Sequence, residues 1–196
     1  MKLFFVDCCI SIHHPSRTRQ LADAFLSAWQ AAHPTDQVER LDLTQTELHP
    51  LLTADLAARE EAQEQHRVGG EEFVLARQFA GADRIAVAAP FWEFSFPAQL
   101  RLYIEHIAAV GVTFGYTPHG QVGLCRAEKL LFLTTAGGPL DGWCNCGSNH
   151  WQALCTLFGI REYHFIGAPM QDVVEVDHET ILQDTMDLAR ELAKRF

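Results

Sequence analysis

The stretch Ile85-Ala86-Val87-Ala88-Ala89, closed by Pro90 and followed by Phe91-Trp92-Glu93-Phe94-Ser95-Phe96-Pro97, constrains this chain more than any other. A continuous apolar run bounded by turn residues reads as a strand buried on both faces, and such strands belong to parallel sheets covered by helices above and below. The aromatic cluster then lies at the carboxyl end of the strand, where open α/β sheets bind ligands. Phe91, Trp92, Phe94 and Phe96 offer flat apolar faces on which a planar heterocycle such as an isoalloxazine can stack, with backbone polar groups at its edge. The competing reading is an aromatic plug over the end of the sheet.

Length and charge narrow the field. A chain of 196 residues with 48% hydrophobic and 20% charged residues suffices for one well-buried domain over 1–196. The formal charge of -10 argues against a nucleic-acid surface, which needs clustered Lys and Arg. No apolar run approaches the length that spans a membrane. The opening Met1-Lys2-Leu3-Phe4-Phe5-Val6-Asp7 is too short for a signal peptide and reads as the first strand of a cytoplasmic protein. Cysteines at 8, 9, 125, 144, 146 and 155 are then expected as reduced thiols. Cys144-Asn145-Cys146 with His150 hints at metal ligation, but no second pair completes a tetrahedral set, so no metal is expected.

Strand and helix patterns alternate along the chain. Residues 2–7 form a strand, and Leu21, Phe25, Leu26 and Trp29 recur at helical spacing over about 16–32. Between them, Ser16 fits an N-cap, with Arg17 and the Thr18 hydroxyl in the first turn, the composition of an anion site at a helix N-terminus or of simple capping. His13 and His14 lie in the same loop and could touch an anion there. A second strand spans 37–43, helices are expected over 51–66 and 71–81, and Glu60, Glu61 and Glu64 read as a solvated face. In the second of these helices Phe73, Val74, Ala76 and Phe79 face inward. Pro97 fits the first turn of a helix carrying Leu100, Tyr103, Ile104 and Ile107. Residues 112–124 read as a β-excursion with a tight turn, and 129–135 as the fourth strand, followed by Ala136-Gly137-Gly138. Two glycines there let a backbone come close to a ligand. A helix over 148–158, a strand over 162–167 and a helix over 178–195, with Ile181, Leu182, Thr185, Leu188, Ala189 and Leu192 inside, complete the pattern. Five strands alternating with helices give a three-layer, doubly wound parallel sheet. With the order 2-1-3-4-5, the loops after strands one, three and four converge, supplying an anion site, an aromatic platform and a close-approach backbone. That is the set of groups a flavin mononucleotide (FMN) needs.

Three stretches carry a family likeness: Ala89-Pro90-Phe91-Trp92-Glu93-Phe94 with Pro97-Ala98-Gln99-Leu100, Gly111-Val112-Thr113-Phe114-Gly115-Tyr116-Thr117, and Thr134-Thr135-Ala136-Gly137-Gly138. Over nearly its whole length the chain resembles the FMN-dependent NADH:quinone oxidoreductases, also called azoreductases, of the flavodoxin-like superfamily. The resemblance implies a homodimer with FMN at the subunit interface and ping-pong transfer of hydride from NADH or NADPH, through the flavin, to a quinone or azo compound. By motif position, Cys9, Ser16, Arg17 and Thr18 fall on the phosphate side, Pro90, Phe91, Trp92, Glu93 and Phe94 on the ring, and Thr135, Ala136, Gly137 and Gly138 at its pyrimidine end. No side-chain catalyst is implied, since the cofactor carries the chemistry.

The chain also departs from the family pattern. Cys8-Cys9 replaces paired Ser, Glu93 replaces Asn, and Ala136 and Leu140 replace Arg and His. A carboxylate at position 93 near the ring would disfavour the anionic reduced flavin and lower its potential. Trp143-Cys144-Asn145-Cys146-Gly147-Ser148-Asn149-His150-Trp151 differs from the usual loop, and it is expected either to border the ring or to be a surface loop entering a helix. The rival functions are an electron carrier or redox sensor that binds flavin, a relative that has lost FMN, and a cysteine-ligated metal protein.

Overall fold

Alternation along the strands sets the layers. In β1 (Lys2–Asp7), Leu3 and Phe5 face one core while Phe4 and Val6 face the other. The structure, a computed structural model, describes residues 1–11 and 16–196. After β1 follow α1 (Arg17–Ala32), β2 (Gln37–Asp42), α2 (Thr53–Glu64), α3 (Val74–Ala80), β3 (Arg84–Ala88) and α4 (Ala98–Ile107). Then come a hairpin of β4 (Phe114–Thr117) and β5 (Gly120–Gly123), β6 (Lys129–Thr135), α5 (Cys146–Phe158), β7 (Glu162–Ala168) and α6 (His178–Ala193). The main sheet runs β2-β1-β3-β6-β7 with every pairing parallel, which is the expected 2-1-3-4-5 order.

Two cores sandwich the sheet. Phe4, Val6, Ile85, Val87, Leu130 and Phe132 pack against α4 and α5, while Leu3, Phe5, Ala86, Ala88, Leu131 and Leu133 pack against α1 and α6. A smaller cluster of Ala62, Phe73, Ala76, Ala109 and Val112 seats α2. The helix core residues read from the sequence are buried in α4 and, in α1, at Leu21, Phe25 and Trp29, while Leu26 of α1 and Ile181 of α6 are half-buried; two further residues are corrections. Leu188 is 64% exposed and Val74 48% exposed. The inner stripe of α6 runs through Leu182, Thr185, Ala189 and Leu192 at three- and four-residue spacing, which turns Leu188 outward. Residues 71–81 split into a 3-10 turn, Glu71–Phe73, and α3, so Val74 falls on the outer side.

Helix α5 starts at Cys146 instead of 148, because the Asn145 side chain accepts from the Ser148 N–H at 3.2 Å. Pro97 stands just before α4 as its N-cap residue, one position earlier than expected. The Gly111–Thr117 motif is explained by its own packing. The buried Thr113 hydroxyl donates to the carbonyl of Ile107 at 2.7 Å and accepts from the Ala109 N–H at 3.1 Å, closing the end of α4. Gly111 turns with φ 79°, and Gly123 lies so close to the end of α5 that a Cβ there would sit 2.0 Å from the Gly159 nitrogen.

Asp7, the last residue of β1, is fully buried. Its Oδ2 accepts from Arg19 of α1 and, at 2.5 Å, from Arg40 of β2, and its Oδ1 accepts from the Cys9 N–H at 3.0 Å. Burial pushes the carboxyl above the usual range, while the Cys9 N–H and Arg19 pull the other way. One carboxylate thus joins β1, β2, α1 and the loop between β1 and α1.

Removing it leaves two guanidiniums facing a gap, so Asp7→Ala is expected to lower stability by about 3 kcal/mol in urea unfolding. Gly123→Ala, which forces two backbones apart, is expected to cost about 3 kcal/mol. Gly69→Ala, with nothing within 4 Å of its Cβ position, is expected to shift stability by no more than about 1 kcal/mol.

Candidate functional site

Three loops leave the carboxyl ends of β1, β3 and β6, and the sheet order brings them to one edge. At the first, Ser16 caps α1, its hydroxyl accepting from the Arg19 N–H at 3.2 Å. The N–H groups of Arg17 and Thr18 then have no acceptor among the described residues, and they open the positive end of a helix of 16 residues. The Thr18 side chain is buried, its hydroxyl 2.7 Å from that of Thr135 at the end of β6. Arg17 pairs with Asp172 at 2.8 Å. Cys9 is buried with its thiol directed at the Ala88 carbonyl, 3.8 Å away, so its side chain serves the loop's own packing. His13 and His14 lie outside the described residues. On the β2 side of this loop, Ser11, Ser16 and Arg19 line a cleft of about 730 Å³ with Thr44, Thr46 and Gln99.

The second loop is zipped to β6. The Ala89 N–H donates to Leu133 at 3.1 Å, Phe91 N–H to Thr135 at 3.0 Å, and the Thr134 hydroxyl to Ala89 at 2.7 Å. Beyond Phe91 the chain folds into a two-residue hairpin in which Trp92 and Ser95 exchange backbone bonds of 3.3 and 2.7 Å. Glu93 and Phe94 occupy its tip with φ of 51° and 64°. Both in the left-handed region, they form a turn that ordinarily takes Asn-Gly. Holding a carboxylate residue and a bulky aromatic there costs about 1–2 kcal/mol each. The strain turns rings outward: Trp92 is 47% and Phe94 59% exposed, with Phe94 edge-on to Phe91 at 6.4 Å. Pro90 and Phe91 are half-buried, whereas Phe96 is buried in the core. The cluster is therefore part platform and part plug. The Glu93 side chain stands at the exposed turn tip.

At the third loop, Ala136 is buried and Gly137 and Gly138 are half-buried. The Ala136 N–H donates to the Ala168 carbonyl at 2.9 Å, whereas the N–H groups of Gly137 and Gly138 have no acceptor among the described residues, and a Cβ on Gly138 would face open space. Their carbonyls are taken by a fourth segment that the sequence reading did not single out, residues 170–172 after β7. Gln171 N–H donates to Ala136 at 2.9 Å, Asp172 N–H to Gly137 at 3.2 Å and Met170 N–H to Gly138 at 2.9 Å. The same rule that pointed to the other loops, ligands at carboxyl ends of strands, was the available signal.

The 143–151 segment reaches the base of the aromatic loop through α5. A Cβ on Gly147 would lie 3.3 Å from Phe96 and Ser95, and His150 stacks on Phe96 with centroids 5.7 Å apart. Burial lowers the His150 pKa, and Arg101 adds to the effect. Trp143 is 87% exposed. Among the described residues, no group of three or more His, Cys, Asp or Glu side chains is arranged to hold a metal ion. Nor is any helix among them long and apolar enough to cross a membrane.

Comparison with known proteins agrees with this fold. A family model described as flavodoxin-like fold matches residues 1–192. The FMN-dependent NADH:quinone oxidoreductase 2 of Clostridium acetobutylicum is 35% identical over 188 residues, covering 92% of both chains. The FMN-dependent NADH:quinone oxidoreductase of Coprothermobacter proteolyticus is 30% identical over 200 residues, covering 100% of this chain and 99% of its own. Among solved structures, an azoreductase from Bacillus anthracis superposes with a TM-score of 0.89 at 25% identity, covering 100% of this chain and 99% of that one. The chain therefore belongs to the flavodoxin-like-fold family that includes the FMN-dependent NADH:quinone oxidoreductases.

Proposed function

We propose that this protein is an FMN-dependent oxidoreductase that takes hydride from NADH or NADPH and reduces a quinone or azo compound. The observation that carries the reading is the convergence at Thr135, whose hydroxyl meets Thr18 of the anion-binding helix while its carbonyl holds Phe91 of the aromatic loop. The donor set fits FMN. N–H groups without an acceptor among the described residues and a hydroxyl at the start of α1 suit a phosphate, exposed aromatic faces suit a planar ring, and the Gly137 and Gly138 N–H groups, likewise without an acceptor among the described residues, suit carbonyl acceptors on the ring's edge.

When bound, FMN supplies the group that accepts and returns hydride. The chain's own residues bind and orient it. Ser16 shapes the helix end, and the N–H groups of Arg17 and Thr18 would take the phosphate. Pro90, Phe91, Trp92, Glu93 and Phe94 would line the ring, the aromatics excluding water from one side. Thr135, Ala136, Gly137 and Gly138 would hold its pyrimidine end, with Ala136 leaving the edge to backbone groups alone. Cys9 would contribute its loop backbone.

We read the chain as one domain acting as a homodimer in the cytoplasm. The exposed rings of Trp92 and Phe94, adjacent on the aromatic loop, support a second copy closing the site. Six free cysteines suit a reducing compartment. The relatives' names favour NADH as the donor.

The thiols stand apart from this chemistry. Burial pushes Cys8, Cys125 and Cys155 up to about 12, and Cys9 higher still. Cys144 and Cys146 donate to the carbonyls of Asp141 and Trp143 near the start of α5.

Purified protein is expected to show flavin absorption, or to acquire it with added FMN, to bleach with anaerobic NADH and to recover with a quinone. A colourless protein that ignores FMN would overturn the reading, and bands that resist NADH would point to a carrier. Thr18→Val and Thr135→Val are each expected to weaken FMN by about fivefold in a fluorescence titration. Iodoacetamide at about pH 8 is expected to modify Cys146 while sparing Cys8, Cys9, Cys125 and Cys155, with NADH oxidation retained, as read by peptide mass spectrometry and assay.

A further inference from the structure

Asp172 occupies a position that the mechanism above does not use. Its backbone is pinned, with residues 170–172 bonded rung by rung to 136–138. Met170 holds φ 61° to make that approach, a left-handed conformation that a side-chain-bearing residue adopts only where its surroundings impose it. The Asp172 carboxylate lies in the space Gly137 leaves vacant, where a Cβ on Gly137 would come within 2.5 Å of Oδ2. Its other oxygen holds Arg17 at 2.8 Å. The guanidinium belonging to the start of α1 is thereby drawn toward the Gly137 edge and neutralised there.

The geometry points to Asp172 and Arg17 as a charge clamp over Gly137 that sets both the affinity for FMN and its reduction potential. The inference rests on the reading that residues 135–138 take the pyrimidine end of the ring. Charge close to that end decides how readily the ring takes on negative charge on reduction. With the clamp closed, Arg17 and Asp172 cancel. Without the carboxylate, the free guanidinium favours the anionic phosphate and the reduced ring together. Without the guanidinium, the carboxylate opposes both. Asp172 is a positioning residue, acting through Arg17 and through its own field. Its side chain is 73% exposed and that of Arg17 38%, so solvent screens the pair and the effects are modest.

The test uses the full chain loaded with FMN, with Asp172→Asn and Arg17→Gln measured beside wild type for FMN dissociation constant and midpoint potential. Asp172→Asn is expected to tighten FMN by about threefold and raise the potential, Arg17→Gln to weaken FMN by at least as much and lower it. Raising salt should shrink the difference between Asp172→Asn and wild type. If Asp172 only anchored its loop, Asp172→Asn would loosen FMN, and that result, or a potential unmoved in both variants, overturns the clamp. Wild type that binds no FMN would overturn the clamp and the proposed function together, whereas wild type that binds FMN with unmoved variants overturns the clamp alone. Asp172 is exposed enough for Asp172→Asn to fold, and thermal unfolding of each variant checks this.

Discussion

A single buried carboxylate anchors the ligand-facing edge of this molecule. Asp7 ends β1 with no exposed surface, and two guanidiniums and a backbone N–H converge on it. Taking a carboxylate out of water costs several kcal/mol, so it persists only because every lone pair that matters is met. The consequence is positional. Arg19 belongs to the first turn and a half of α1, so the ion pair fixes where that helix begins relative to the sheet. Once α1 is fixed, Thr18 meets Thr135, and Arg17 falls within reach of Asp172.

The rest of the site is built by extending the sheet's own hydrogen bonding past its strands. The β3–β6 ladder continues through Ala89 and Phe91, and a turn after β7 pairs with 136–138. Backbone rungs impose the shape of these loops, which is how the hairpin tolerates positive φ at Glu93 and Phe94 and the last turn at Met170. Among the described residues, three of the four non-glycine residues with positive φ lie in the two segments that border the proposed ring site, the fourth being His66 after α2.

Much of this was legible in the residues. The apolar run at 85–89, the helical spacing of Leu21, Phe25 and Trp29, and Ser16 as a cap all follow from local chemistry, and the structure has them where they were expected. Other features left no local mark. The hairpin at Glu93-Phe94 lacks the Asn or Gly that announces such a turn, because its conformation is imposed by Trp92, Ser95 and the rungs below. Asn145 caps α5 two residues ahead of the expected start, since one polar residue among Cys and Gly gave little warning. Leu188 and Val74 are apolar yet face water, because the packing stripe of each helix is set by its partner and not by its composition.

The sequence by itself determined the fold class, the order of its elements and the three loops that meet at the switch point, because hydrophobic periodicity and the handedness of parallel crossovers leave few other arrangements. Only the tertiary structure decided how charges pair across it. Asp7 with Arg19 and Arg40, and Arg17 with Asp172, join residues 12, 33 and 155 positions apart. Such pairs are chosen by proximity in the folded state, and a buried or crowded charge takes whichever partner the packing brings within reach.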